Sequence, residues 1–287
     1  MKRIIQIISI LILFALAPAK LSGQGQIHTK KYRLSDFTTK TTKVVLGGVP
    51  MIDDAIREEV KSRWRLSPYE FCTVEQYEKL KESPQYYFLI CSKGRLKKES
   101  EPSLVMLSVV KGGKEGVSDP TKESMDVVSI PLAACDSPSG REFTFIPAMI
   151  DIIQTYIEQA MESEKVSMSG IGAVSIGLGK VSHKTAYICD EDIAASVSDA
   201  QKVKVFAKDK MVQADEDTAD EAFSDEKEAV VSYVVAPSSP EKGSYCYKML
   251  IDAQTHDLVY FERSAIKDED GIGFTAAELK KIANSRK

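Results

Sequence analysis

The segment from Gly170 to Lys180, GIGAVSIGLGK, has four glycines running into a lysine, as in a loop that wraps a phosphate. A G-x-x-x-x-G-K-[ST] loop ending at Gly179 and Lys180 would need glycine at position 174 and a hydroxyl residue at 181, but both positions are valine. The G-x-G-x-x-G pattern fails as well, because serine replaces its third glycine. A predicted helix precedes the segment and a predicted strand follows it, which reverses the order that both motifs require. The sequence therefore predicts a flexible connector, with an anion-binding turn as the alternative.

Two serine patterns resemble hydrolase motifs by letters alone. The stretch from Gly172 to Gly177 is one residue too long ahead of Ser175 for the G-x-S-x-G elbow that exposes a nucleophile. Ser239-Pro-Glu-Lys242 matches S-x-x-K, but it lies in a turn between two predicted strands, whereas that motif belongs at the start of a helix. Neither pattern predicts a nucleophile.

The three histidines are His28, His183 and His256. His28 lies in a polar leader. The thiol nearest to His183 in sequence is Cys189, and the intervening strand places them roughly 20 Å apart at about 3.3 Å per residue, too far for a dyad. His256 lies at the tip of a predicted hairpin near Asp252, which indicates a solvated turn residue. An enzyme would need His183 or His256 to meet a serine or cysteine and an aspartate in one folded cleft.

Acidic runs raise the question of calcium, in the segments ADEDTADEAFSDEKE and KDEDGIG. The loop D-x-[DN]-x-[DN]-G needs an acid or amide at positions 219 and 272, which hold alanine and isoleucine, and the distal glutamate is missing in both. The sequence also has no H-E-x-x-H and no C-x-x-C pattern. We therefore assign no catalytic, cofactor-binding or metal-ligating residue, and we expect no cofactor.

The five cysteines are too sparse and irregular for a disulfide scaffold: Cys72, Cys91, Cys135, Cys189 and Cys246. In an oxidising compartment one pair can bridge, and Cys72 with Cys91 is favoured because both end predicted strands. The odd count leaves at least one free thiol or an intermolecular bond. The favoured interpretation, however, is that the cysteines are small buried apolar residues near strand ends.

The N-terminus has the three-part plan of a secretory signal peptide. Met1-Lys2-Arg3 is basic, Ile4 to Ala17 is apolar, and Ala17-Pro18-Ala19 resembles an A-x-A cleavage site. The apolar run is short for a membrane-spanning helix, which needs about 20 residues, although an uncleaved anchor is the alternative. We predict a signal peptide over 1–23 and a soluble mature chain without an integral membrane segment, exported to the periplasm or to the cell surface or medium.

Charge is divided unevenly between the two parts of the chain. From Gln24 to Ser163 there are 19 Lys and Arg against 20 Asp and Glu, and from Glu164 onward there are 16 against 22. Nucleic acid and anionic membranes select clustered basic residues, so neither is expected as a partner.

The order of predicted elements indicates an α/β fold, with α+β as the alternative. Strand, helix, strand, helix and strand are followed by two further strands and by the clearest helix, over Ile146–Met161. After the connector the order partly repeats, with KTAYICD and KVKVFA as its first two strands. We predict two halves, 24–163 and 183–287, each a mixed sheet flanked by helices, joined by the glycine-rich connector 164–182 and related by a weak internal repeat.

Several stretches carry a resemblance to known proteins: VVLGGVPMIDDAIREEVKSRW, YEFCTVEQYEKL, and MIDIIQTYIEQAMES leading to KTAYICDEDI. In these the chain resembles uncharacterised exported α/β proteins of Gram-negative bacteria. More distantly, its architecture is similar to the periplasmic α/β domain of curli-secretion and penicillin-binding-protein-activator lipoproteins. Those proteins are lipid-anchored, and this chain has no cysteine near its predicted cleavage site for that anchor. The resemblance implies a fold and transfers no functional residue.

These observations favour a non-catalytic binding or assembly module for a protein or glycan partner in the cell envelope. The alternatives are a hydrolase or thiol enzyme whose site is assembled only in the fold, and an assembly factor that acts through a free thiol.

Overall fold

The computed structural model describes residues 21–22, 31–95, 102–113, 126–241, 243–266 and 272–286. Most of the predicted signal peptide, His28, Lys242 and most of the acidic segment KDEDGIG lie outside these residues. Among the described helices, none has the length and apolarity to cross a membrane.

The first half builds a mixed sheet and three helices. Its strands are β1 Leu21–Ser22, β2 Thr41–Leu46, β3 Tyr69–Thr73, β4 Tyr86–Arg95, β5 Leu104–Lys111 and β6 Asp126–Ala134, and its helices are α1 Pro50–Arg63, α2 Val74–Leu80 and α3 Glu142–Glu162. The main path of the sheet is β3-β2-β4-β5-β6, with β1 paired to β4. Strands β2, β3 and β4 are parallel, and β5 is antiparallel to both of its neighbours.

The second half follows the same plan. Its strands are β7 Thr185–Cys189, β8 Met211–Ala214, β9 Ala229–Val235, β10 Tyr245–Asp252 and β11 Leu258–Ala265. The connector begins with the short helix α4 Glu164–Ser167, and the helices of the second half are α5 Asp199–Phe206, α6 Glu216–Ser224 and α7 Ala276–Asn284. The strand order is β8-β7-β9-β10-β11, with β7, β8 and β9 parallel and β10 antiparallel to its neighbours.

The α/β prediction is confirmed, and the weak repeat reappears as one topology used twice. In the first half β2 lies between β3 and β4, and β5 and β6 extend the sheet beyond β4; in the second half β7 lies between β8 and β9, and β10 and β11 extend the sheet beyond β9. The helix after β6 shares a sheet face with the helix after β2, as α3 does with α1, and the helix after β11 shares one with the helix after β7, as α7 does with α5. The domain boundaries themselves stay a prediction.

Local sequence signals position several of these elements. Pro50 stands at the start of α1, and capping boxes open α2 at Thr73 and α7 at Thr275, as the sequence predicts. In each box the threonine hydroxyl accepts an N–H of the first turn, and a side chain three residues later accepts the threonine N–H.

The predicted strand KVKVFA is wrong, because Asp199–Phe206 forms helix α5 and the second strand of this half is Met211–Ala214. Valine alternates with lysine there, and alternation is the pattern of a half-buried strand. In the structure these valines lie on a helix, where Val205 is buried and Val203 is 70 % exposed. The alternation of valine and lysine therefore does not mark the two faces of a strand. The capping box between Ser198 and Gln201 is the sequence signal for the helix.

Helix α3 lies between the two sheets and is buried on almost every side. It packs on α1 and β6 in the first half and contacts α6 of the second. Phe145 lies with its ring centroid 4.3 Å from that of Tyr233 and 4.5 Å from that of Phe223. One apolar cluster therefore contains residues of both halves. The spacing of its apolar residues predicts that Asp151, Gln154, Glu158 and Gln159 face solvent, but Gln154 is buried and Asp151 makes contacts to both halves.

Candidate functional site

The parallel strands of the second sheet form a crevice at their carboxyl ends. The connection from β7 runs to β8 on one side, and the next connection returns to β9 on the other side. Ligands of open α/β sheets commonly bind at such a switch point, because the two loops diverge there. The segment that leaves β7 at this place is Asp190–Asp192.

Arg141, at the start of α3, reaches from the first half into this crevice. Its Nε donates to Asp220 Oδ1 at 2.8 Å, and its terminal nitrogens donate to Asp192 Oδ2 at 3.2 Å and to the Ser232 carbonyl at 3.1 Å. The guanidinium also lies over the ring of Tyr233, 5.6 Å from its centroid. Because Arg141 is 4 % exposed and Asp192 is 3 % exposed, this is a buried ion pair that joins the two halves.

Each carboxylate in this cluster has further partners. Asp192 accepts hydrogen bonds from the Ser232 hydroxyl at 2.6 Å and the Val234 N–H at 3.2 Å, and Asp220 accepts one from Thr144 at 3.3 Å. Burial raises the pKa of Asp220, and Arg141 opposes that shift. Burial would lower the pKa of Arg141, but the neighbouring Asp192 and Asp220 raise it overall, so its charge is secure.

Glu142, the next residue, is 2 % exposed. Its carboxylate accepts the Gly140 N–H at 2.9 Å, and burial raises its pKa. After β2, Asp53 accepts the N–H groups of Gly47 and Gly48, each at 2.8 Å. Both carboxylates contribute to the raised pKa of Cys91 on β4, so the start of α3 also lies near the first sheet.

The thiols near these carboxylates are poor nucleophiles. Burial raises the pKa of Cys91 to about 12, with smaller contributions from Asp53, Cys135 and Glu142. Burial likewise raises the pKa of Cys246 to about 11 and, with Asp192 contributing, the pKa of Cys189. At pH 7 a thiol with a pKa of about 12 is ionised in roughly one molecule in 10⁵, and the thiolate is the reactive form.

Cys189 and Cys246 are fully buried, so we expect both to resist iodoacetamide at pH 7 in the folded protein and to react once denaturant is added. Mass spectrometry of the alkylated protein measures this directly, with the unfolded chain as the reference for full reaction. Alkylation of the folded protein at the rate of the unfolded chain would show that one of these thiols is open to reagents, as a thiol enzyme requires.

Cys72 and Cys91, the pair favoured for a bridge if one formed, are both free in the structure. Cys72 is level with Ile90 across β2 and packs with it under α2. Cys91 follows Ile90 in the strand and therefore points to the opposite face of the sheet. The two thiols lie on different sides of β2 and β4 and cannot bridge.

His256 meets a carboxylate, although it was expected to be solvated. It lies in the β10–β11 turn at φ 59°, a conformation more common for Gly or Asn, and is 8 % exposed. Its Nδ1 donates to Asp151 at 2.7 Å, Arg63 donates to the same carboxylate at 3.0 Å, and the Phe223 ring stacks on the imidazole. His183 is exposed and lies 3.9 Å from Glu228. His256 therefore acts as a second contact between the halves.

The glycine-rich connector is folded onto the second sheet. Gly170 at φ 72° and Gly177 at φ 85° precede short 3₁₀ turns at Ile171–Val174 and Leu178–Val181. The N–H groups of Ile176 and Gly177 donate to carbonyls of β11 at 2.9 and 3.2 Å. The hydroxyl of Ser175, the serine of the elbow-like pattern, donates to the Val259 carbonyl at 2.7 Å. These donors are used within the protein, so the segment is an ordered edge to the sheet.

The large apolar side chain with the highest exposed fraction in the described residues lies beside the other end of this sheet. A shallow depression of about 520 Å³ is lined by Asp199, Lys202, Val203, Phe206, Ala207 and Gln213. Val203 is 70 % exposed at the centre of helix α5. Strand β8, which supplies Gln213, is the terminal strand of its sheet.

No protein-family model matches this chain, and neither does any curated protein or any solved structure. The function of this chain therefore has to be inferred from the geometry of its fold. The described residues contain no group of three or more His, Cys, Asp or Glu side chains arranged to hold a metal ion.

The sequence did not single out the residues that form the junction between the halves. Arg141 lies 51 residues from Asp192 and 79 from Asp220, so no local spacing connects them. Two local signals were present: an Arg-Glu pair before the clearest helix, and the acidic Asp190–Asp192 directly after a buried strand.

Proposed function

We propose that this chain is an exported protein of the cell envelope that binds a protein partner without catalysis. The supporting observation is the depression between α5 and β8, where Val203 is 70 % exposed. A concave surface with an exposed apolar side chain at its centre can accept an apolar side chain of a protein partner.

A protein fits this surface better than a glycan for two reasons. Terminal strand β8 is paired with β7 on one side only, so its other edge can pair with the backbone of a partner. The apolar lining comes from Val203, Ala207 and the half-buried Phe206, and an aliphatic side chain supplies contact area but no hydrogen bonds to sugar hydroxyls. Backbone pairing next to an apolar contact is a common way to bind an extended segment of a protein.

The enzyme alternative is less well supported by the same structure. A hydrolase would use a histidine to activate a serine or cysteine, and His256 has a carboxylate partner as that arrangement requires. Its imidazole, however, is enclosed by Phe223, Asp151 and Arg63, which hold the two halves together. The raised pKa values of Cys91, Cys189 and Cys246 oppose thiol chemistry.

Val203→Asp is expected to reduce recovery of the partner from cell-envelope extract at least tenfold, because a carboxylate buried against an apolar partner loses its hydration. Affinity capture with the purified mature chain, followed by quantitative mass spectrometry, measures the change. Met168→Asp is the matched control, since Met168 is also an exposed apolar residue, at 48 %, but lies outside the depression. Equal recovery with both variants would remove the α5–β8 surface from the proposal.

A further inference from the structure

Strand β8 connects a basic end to an acidic end. Lys208, Asp209 and Lys210 precede it with a net charge of +1, and Asp215, Glu216 and Asp217 follow it with a net charge of −3, with only four residues of strand between the two groups. Lys208, Asp215 and Asp217 are exposed. The edge of this sheet is therefore a short dipole, positive where β8 begins and negative where it ends.

Helix α5 has the same polarity as the strand edge. It connects two parallel strands, so it runs opposite to β8 and begins near the end where β8 finishes. Asp199, its first residue, lies at the acidic end, where Asp190 also accepts a hydrogen bond from Gln213 of β8 at 2.5 Å. Lys202 and Lys204 flank Val203, and Lys204 lies on the side toward the basic end. Helix and strand together form one surface that is most acidic where β8 ends and more basic where β8 begins, with an exposed valine between.

A surface of this kind is complementary to itself when it is rotated by half a turn. We propose that the partner at this edge is a second copy of the chain, with the two β8 strands antiparallel about a two-fold axis. With the axis between Val212 and Gln213, Met211 lies opposite Ala214 of the second copy. The turn before each strand, which contains Lys208, is then close to the start of α6 of the other copy, which contains Asp217. Val203 of each copy then packs near the axis. This inference rests on the proposed function and names its partner.

The edges at β11 and β3 differ from the edge at β8. The outer edge of β11 already accepts the N–H groups of Ile176 and Gly177. The counterpart of β8 in the first half is β3, which has Arg65 before it and Glu75 after it, but it is preceded by Pro68, which has no N–H to pair, and it leads directly into α2. Strand β8 combines opposite flanking charges with an exposed valine beside it, and closed two-fold pairing would cover an edge that otherwise promotes open-ended association.

The test is a charge exchange across the axis, read by sedimentation velocity of the purified mature chain over a concentration series. Lys208→Glu and Asp217→Lys are each expected to weaken dimerisation at least tenfold, since each sets like charges opposite one another. The double variant restores opposite charges and is expected to return to within about threefold of the unmodified chain. Glu78→Lys on α2, an exposed site on the first half, is the matched control and should have no effect.

A cysteine at the axis gives an independent readout. Val203→Cys is expected to form a disulfide-linked dimer under mild oxidation, whereas Met168→Cys and the unmodified chain are not. A monomer at every concentration, or a double variant no better than its single parents, would overturn the two-fold pairing. If the chain is monomeric but Val203→Asp still abolishes capture of another protein from extract, the proposed function stands and the self-association falls. If the chain is monomeric and Val203→Asp does not reduce capture, the proposed function and the self-association are both wrong.

Discussion

Replacing Arg141 with methionine is expected to lower the free energy of unfolding by about 3–5 kcal/mol, the range for removing one partner of a buried ion pair. Methionine keeps the apolar contact with the rings beneath the guanidinium and removes the charge. Asp192, 3 % exposed, would keep the Ser232 hydroxyl and the Val234 N–H but lose its counter-ion. Urea unfolding followed by circular dichroism measures the loss.

Arg57→Met is the matched control for that experiment. Arg57 pairs with Asp54 at 3.0 Å, but the two side chains are 39 % and 67 % exposed, so water screens the interaction. Exposed pairs of this kind contribute about 0–1 kcal/mol. A similar loss of unfolding free energy in Arg141→Met and Arg57→Met would mean that the contacts of Arg141 do not hold the two halves together.

The loss of unfolding free energy caused by Arg141→Met is expected to depend on pH, and the direction of this dependence follows from the pKa of Asp220. Burial raises the pKa of this carboxyl and Arg141 opposes the shift, so removing the arginine raises the folded-state pKa further. A carboxyl whose pKa is higher in the folded state than in the unfolded state contributes stability at acidic pH that is lost as pH rises. The difference between the variant and the unmodified chain should therefore be smallest near pH 4 and largest at neutral pH. A difference independent of pH would point to lost packing alone.

The elements that could be predicted from the sequence are those whose signals are local. The box at Thr73, the proline at the start of α1 and the apolar stripe of α3 each lie within a few residues, and each element is confirmed. Helix α5 was misread because its alternating valines outweighed the capping box at Ser198. Intrinsic helix propensity is a weak predictor of structure. Helix α5 also has a single buried side chain, Val205, so no apolar stripe marks it as a helix.

The polar contacts between the halves could not be predicted, because they depend on how one half packs against the other. Asp151 lies on the side of α3 that the apolar stripe marks as exposed, yet it meets Arg63 and His256 there. A periodic pattern shows which face of a helix is apolar but not what covers the polar face. The second half of this chain covers it, and that packing is a long-range property of the fold.

Replacing Phe145 with alanine is expected to lower the free energy of unfolding by about 3–5 kcal/mol, the cost typical of removing a buried aromatic side chain. Its ring is fully buried between α3 and the second sheet, in contact with Phe223 and Tyr233, so the cavity would lie between the two halves. Trp64, the single tryptophan, reports on the first half by fluorescence, and the buried thiol of Cys246 reports on the second by its alkylation.

Because the apolar cluster around Phe145 contains residues of both halves, the fluorescence and alkylation transitions of Phe145→Ala are expected to shift together to lower denaturant concentration. Phe71→Ala, at a half-buried position on terminal strand β3, should cost about 1–2 kcal/mol and leave the two transitions coincident. Transitions that separate in the unmodified chain would show that each half is stable alone and that α3 joins two independent units. Coincident transitions in the unmodified chain, Phe145→Ala and Phe71→Ala would show that α3 belongs to one cooperative core. A cavity on the second-half side of α3 would then also lower the denaturant concentration at which the Trp64 fluorescence changes.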